Sequence, residues 1–212
     1  MKNVIFLFRS VNIPFFLDII ERTVAAAFFS FFALRFLAAY LETGHVFLLC
    51  QLIAELLVIG FLLVRRFSSQ VSLNPVDWCM AVAGTSLPLL VAPGGEPLIS
   101  SSLAVSIMLA GLLINFWAKF SLRRSFGIVA ANRGVKTKGP YSLIRHPMYF
   151  GYVVTHIGFL LSNPTFHNLL VYSAALACQI YRIRAEERAL SPDPHYQSYS
   201  AEVRYRLVPG VF

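Results

Sequence analysis

Two short stretches set charged and ring side chains against strongly apolar surroundings. One is GPYSLIRHPMYFGY, Gly139 to Tyr152, and the other is RIRAEERAL, Arg182 to Leu190. In the first, Arg145, His146, Pro147 and Tyr149 stand at the mouth of an apolar run. Proline suits the first turn of a helix, where its missing N–H is no loss, so the motif predicts a helix beginning at Pro147. The free backbone N–H groups of such a start attract carboxylate or phosphate. An arginine at the edge of a membrane segment is expensive unless an anion or a water-filled site receives it. In the second stretch, Arg182 and Glu186 are four residues apart and share a helix face. Two apolar segments, about 148–161 and 166–181, separate the stretches and are joined by the turn sequence SNPT. They predict a helical hairpin that returns to its starting side, with Arg145 and the Arg182/Glu186 pair converging across its open end. The same residues have plainer uses. Arg and His often anchor a membrane segment at lipid headgroups, and Arg182 with Glu186 makes an ordinary helix salt bridge. The residues alone leave both readings open.

The elements that must position this constellation are greasy. The chain has 212 residues, of which 57% are hydrophobic and only 13% charged. A soluble domain carries about 25% charged residues, so the expected solvent is lipid. Four spanning helices are expected, at about 23–41, 46–64, 76–91 and 101–118, each near the roughly 20 residues a bilayer requires. The third is the shortest, contains Gly84 and Pro88, and ends in the turn sequence APGGEP, so a tilted or broken helix is expected there. Arg35 and Glu55 fall inside the first and second spans. The expected architecture is therefore all-α and polytopic: four spanning helices, a C-terminal helical hairpin and a cytoplasmic cofactor-binding region. It forms one membrane domain, with spanning helices in 1–118 and the cofactor-binding and catalytic half in 119–212. The N-terminal sequence MKNVIFLFRSVNIPFFLDIIER lacks a small-residue cleavage site and reads as an amphipathic lead-in at the interface.

Charge is distributed by side. The loop at 119–147 carries Lys119, Arg123, Arg124, Arg133, Lys136, Lys138 and Arg145 with no acidic residue. The tail adds Arg182, Arg184, Arg188, Arg204 and Arg206, while the opposite loops hold Glu42 and Glu96 and no Lys or Arg. The positive-inside rule then puts the termini, the basic loop and the site in the cytoplasm. The net charge of +8 is explained by this bias and by attraction to anionic headgroups, so no nucleic-acid partner is expected. Cys50, Cys79 and Cys178 are far apart and predict buried apolar thiols rather than a disulfide framework. His45, His156 and His167 lack paired ligands, so no metal site is expected. Neither a dinucleotide fingerprint nor a P-loop is present.

The motif pair closely resembles the isoprenylcysteine carboxyl methyltransferase family and its bacterial-type membrane relatives. The matching positions are Gly139, Tyr141, Arg145, His146, Pro147, Tyr149, Gly151, Arg182, Glu186 and Glu187. The upstream SLRRSFGI and VKTKGPY, the closing Tyr196 and Tyr199, and the final RLVPGVF are also similar to the family. The resemblance covers about 112–212; the first hundred residues match only as generic spanning helices. It implies an integral membrane enzyme that uses S-adenosylmethionine on the cytoplasmic side and admits a lipid-like or prenylated substrate laterally from the bilayer. It further implies catalytic roles for Arg145, Arg182 and Glu186, and cofactor contacts from Tyr141, His146, Pro147, Tyr149 and Glu187. Membrane lipids are the other expected partners, with no obligate protein partner.

Elementary chemistry fits that implication. The cofactor's carboxylate suits the helix N-terminus and imidazole, and its ammonium suits a glutamate. An acceptor carboxylate suits the arginine fork. Phe126, Tyr141 and Tyr149 supply ring faces for the adenine or the sulfonium. Three alternatives stand beside carboxyl methylation: a phospholipid or amine N-methyltransferase, an NADPH-dependent membrane reductase, and a membrane protein without activity.

Overall fold

The structure is a computed structural model describing residues 13–44, 46–68 and 70–212; most of the N-terminal lead-in, residues 1–12, and His45 lie outside the described residues. Among the described residues the fold is all-α, with one isolated bridge pairing Val71 and Ala131. The helices are α1 (Ile13–Thr43), α2 (Val46–Val64), α3 (Pro75–Ser86), α4 (Ser101–Leu122), α5 (Pro147–Ser162), α6 (Phe166–Leu190) and α7 (Pro194–Glu202). A 3₁₀ turn, Leu87–Leu90, extends α3.

The four spanning helices expected from hydropathy reduce to two candidates, α1 and α4. The reason is length. Over Leu48–Val64, α2 is a shorter apolar helix, and α3 has 12 residues. At 1.5 Å per residue α3 rises about 18 Å, well short of a hydrocarbon core of about 30 Å. Pro88 stops α3 from continuing, because it removes an N–H and turns the chain into the 3₁₀ turn. The apolar surface fits a membrane association: Leu34, Leu113 and Trp117 are among many large side chains left exposed. The three cysteines depart from expectation. None is buried, and Cys79 is exposed.

The C-terminal hairpin is also corrected. The α5 and α6 helices follow each other across a short turn, but each has its main backbone packing elsewhere, and they meet through side chains such as Tyr149 with Glu186 and His156 with Tyr172. Helix α5 lies along α4, α6 lies along α3, and α1 pairs with α2. Glycine explains the first pairing. A Cβ at Gly151 would lie 2.7 Å from Gly111 O, and one at Gly111 would lie 2.5 Å from Thr155 Oγ1. Backbone therefore meets backbone, the small-residue contact by which helices associate in lipid. Asn115 Nδ2 crosses the same seam to donate to Met148 O at 3.0 Å. Polar ties hold the second pairing: Asp77 of α3 accepts from Tyr181 Oη at 2.9 Å and Arg188 Nη2 at 2.8 Å.

The loops gather at two ends. At one, Leu98 N donates to Leu161 O, Gly94 N donates to Asn163 Oδ1, and buried Asn168 exchanges hydrogen bonds with Ala92. At the other, Arg66 N donates to Arg124 O, while Arg145 N and His146 N donate to Tyr205 O and Arg206 O. The basic loop and the tail therefore meet at one end, and the Glu96 loop lies at the other.

Candidate active site

The site is assembled where the α5 start, the C-terminal end of α6, the 123–146 loop and the tail converge. Pro147 occupies the first turn of α5 and His146 is its N-cap. The backbone N–H groups of Arg145 and His146 are taken by the tail carbonyls of Tyr205 and Arg206, at 2.9 and 2.8 Å. The C-terminal segment is thus bonded directly behind the motif, a contact between residues some sixty positions apart.

Glu187 is the hub. Its Oε1 pairs with Arg145 Nη1 at 2.9 Å and lies 3.3 Å from His146 Nε2, and its Oε2 accepts from Arg206 Nε at 2.7 Å. Burial opposes its charge, yet the hydrogen bonds from His146 and Arg206, with the fields of His146 and Arg145, hold its pKa down at about 2. Glu186 takes the neighbouring positions: Tyr149 donates its hydroxyl to Oε1, and His146 Nδ1 is 3.6 Å from Oε2. His146 therefore stands between both carboxylates. Burial disfavours its protonated ring, but hydrogen bonds to Glu186 and Glu187 raise its pKa above 6.5.

The two arginines are not brought together. Arg145 faces Glu187, the Tyr196 hydroxyl and Arg204 O. Arg182 lies over the Tyr149 ring, 5.3 Å from its centroid, and donates Nη2 to Ile128 O at 3.0 Å. Its expected helix pair with Glu186 is replaced, since Glu186 turns to Tyr149 and His146. Two cavities account for this separation. A cleft open to solvent is lined by Tyr141, Arg145, His146, Tyr149, Glu186 and Tyr196 among others. A larger one, about 490 Å³, runs between the apolar helices and is reached by Arg182. Gly127 and Met148 line both, so the cavities adjoin there. Phe126 is buried and faces the larger cavity rather than the cleft. Tyr141 is fixed by its own carbonyl, which accepts from Tyr199 Oη at 2.6 Å.

Sequence reasoning missed the support beneath this site. Asp18, Glu21, Arg65 and Arg133 are all buried. Arg65 and Arg133 each pair with both carboxylates, at 2.8–3.1 Å. Glu21 Oε1 also accepts from Ile128 N at 2.8 Å and Val129 N at 3.0 Å. The loop that separates the cavities is thus pinned to α1, and Ile128 O in turn orients Arg182. A methyl group at Gly127 would lie 2.2 Å from Arg133 Nη1, so only glycine lets the guanidinium pass. The available signal was Asp18 and Glu21, three apart on one helix face inside an apolar run. Arg206 was visible only as a tail charge.

Residues 103–192 match the model of the isoprenylcysteine carboxyl methyltransferase (ICMT) family. The matched span runs from α4 to just beyond α6 and includes Arg145, His146, Tyr149, Arg182, Glu186 and Glu187. The resemblance is at family level and singles out no bacterial-type variant. A solved structure of the eukaryotic intramembrane Ras methyltransferase ICMT is 20% identical, aligned over 99% of this chain and 86% of that one, with a TM-score of 0.47. None of the curated proteins compared with the chain matches it.

Proposed function

We propose that this protein is an S-adenosylmethionine-dependent membrane methyltransferase that esterifies a carboxylate on a lipid-like acceptor. One observation carries the reading: a cleft carrying charged side chains and a large apolar cavity adjoin at Gly127 and Met148, inside the family-matched span, with the motif residues divided between them.

The residues present fit the cofactor. The cleft offers a carboxylate, Glu186, for an ammonium, and the arginine and imidazole of Arg145 and His146 for a carboxylate. Arg145 Nε is buried without a hydrogen-bond partner, a donor still to be used. Tyr141, Tyr196 and Tyr199 bring rings to the same wall. When bound, S-adenosylmethionine supplies a methyl group to the acceptor and leaves as the neutral thioether. Glu187 and Pro147 act from behind, by fixing His146, Arg145 and the helix start. Arg182, on the apolar side, orients the acceptor, and an ionised carboxylate needs no general base. The apolar walls exclude water from both charged reactants.

Glu55 on the wall of the larger cavity favours one rival, an amine-headed acceptor. Calorimetry on the purified protein in lipid nanodiscs tests the cofactor, and mass spectrometry of lipids incubated with methyl-labelled cofactor tests the acceptor. The expected results are S-adenosylhomocysteine binding of micromolar order, about −8 kcal/mol, and label recovered in base-labile esters. Tight NADPH binding with none for S-adenosylhomocysteine refutes the methyltransferase reading. Label confined to amines refutes carboxyl transfer.

A further inference from the structure

The larger cavity holds a second buried cation that the motif does not contain. Lys119 lies in the last turn of α4 and is only 3% exposed. Its Nζ rests 5.6 Å from the centroid of the Tyr152 ring and has no carboxylate within ion-pair distance among the described residues. Glu55, across the cavity, feels the charge of Lys119 without pairing to it. The helix C-terminus favours a cation and offsets part of the desolvation. A ring face and a helix end remain poor substitutes for water around a buried ammonium.

Arg182 repeats the arrangement one ring away. It is also buried, lies over Tyr149, and keeps Nε without a partner. The Tyr149 and Tyr152 rings meet edge to face, 6.4 Å apart, so the two cations sit on neighbouring rings of one helix. Both line the larger cavity and neither lines the cleft. The cavity wall as a whole carries Arg35, Lys119 and Arg182 against one carboxylate, Glu55. That excess of positive charge lies inside mainly apolar walls, with the boundary residue Met148 on the same helix as both rings.

We propose that Lys119 and Arg182 together form an anion receptor at the cleft end of the larger cavity, which grips the negatively charged head of an amphiphile whose chain fills the apolar remainder. Arg182 supplies a planar fork and Lys119 a point charge, so the pair engages one carboxylate from two sides. The purpose assigned to the receptor rests on the methyl-transfer reading: a carboxylate acceptor carries a charge that its methyl ester lacks, so the receptor holds substrate and releases product into the bilayer. Lys119 is a positioning and specificity residue here, since it does not reach the cleft.

The test uses the full chain in nanodiscs and two fluorescent probes with one chain, cis-parinaric acid and its methyl ester, at a pH where the acid is ionised. The wild-type protein should bind the acid roughly tenfold or more tightly than the ester, as a charge-assisted contact provides. Lys119→Met should lower the ratio several-fold by weakening the acid alone, with Arg182 keeping the remainder, and Lys119→Arg should restore most of it. Lys119→Gln serves if the methionine variant fails to fold. An unchanged ratio in Lys119→Met, or equal weakening of both probes, overturns the receptor. Calorimetry with S-adenosylhomocysteine is run on the same samples. Loss of that binding in the wild type counts against the methyltransferase reading and leaves the probe ratio to judge the receptor.

Discussion

Glu21→Gln removes one negative charge from the buried network beneath the site and keeps the side chain's shape. Glu21 is the carboxylate that pairs with Arg65 at 2.8 Å and Arg133 at 3.1 Å while accepting from Ile128 N and Val129 N. A glutamine oxygen still receives the two backbone N–H groups, but its amide N–H groups point at guanidinium donors. Among the described residues, Asp18 is then the sole carboxylate facing Arg22, Arg65 and Arg133. Asp18, Arg65 and Arg133 are almost wholly buried, so water screens little of the imbalance. Removing one partner of such a buried pair costs about 3–5 kcal/mol. For a chain of this size that is a fall in Tm of about 6–20 °C. Thermal melts of the purified protein in detergent measure it, with the thermofluor signal of the wild type as reference. Hydrogen exchange provides the local readout: the amides of Ile128 and Val129 should exchange faster, because the loop loses its anchor to α1. Glu21→Gln with Arg133→Gln should cost less than the two single changes added together, since both members of one pair are then neutral. A Tm within about 2 °C of wild type, with unchanged exchange at Ile128 and Val129, refutes the claim that this network holds the loop between the cavities.

Two further expectations concern the hub and the helix seam. Glu187, with its pKa lowered to about 2 from 4.5, contributes stability that is present above pH 4.5 and lost as pH falls toward 2. His146, with its pKa raised above 6.5, contributes stability that is complete below 6.5 and lost as pH rises through its folded value. The difference in Tm between wild type and His146→Gln should therefore be largest near pH 5–6 and shrink on the alkaline side; a constant difference from pH 5 to 9 contradicts the charge assignment. Gly151→Leu should separate α5 from α4, since even a Cβ there comes within 2.7 Å of Gly111 O. Overpacking of about 1–3 kcal/mol or more is expected, with a lowered Tm and weakened S-adenosylhomocysteine binding, and wild-type behaviour would show that the seam yields.

Local signals made much of the site legible. Pro147 marked a helix start, and the structure begins α5 there. The spacing of Arg182, Glu186 and Glu187 put them near the end of an apolar helix, where α6 carries them. Net hydrophobicity and the asymmetry of Lys and Arg separated the two ends of the molecule before any packing was known. These features are properties of a residue and its near neighbours, so hydropathy and capping rules reach them.

Tertiary structure decided the rest. Hydropathy counted four spans, and although Gly84 and Pro88 signalled a break in the third, only the packed chain shows α3 stopping after 12 residues. The expected hairpin returned to its starting side as a unit, but Gly111 and Gly151 draw α5 onto α4, and Asp77 draws α6 onto α3. That choice sends Arg182 to the larger cavity and Arg145 to the cleft, which helix periodicity alone does not distinguish. Asp18, Glu21 and Arg133 resembled a lead-in and a basic loop, yet they meet in one buried network from opposite parts of the chain. The physical reason is common to all of these. A sequence states which groups are costly to bury, while only the packed chain states which partner each finds to offset that cost.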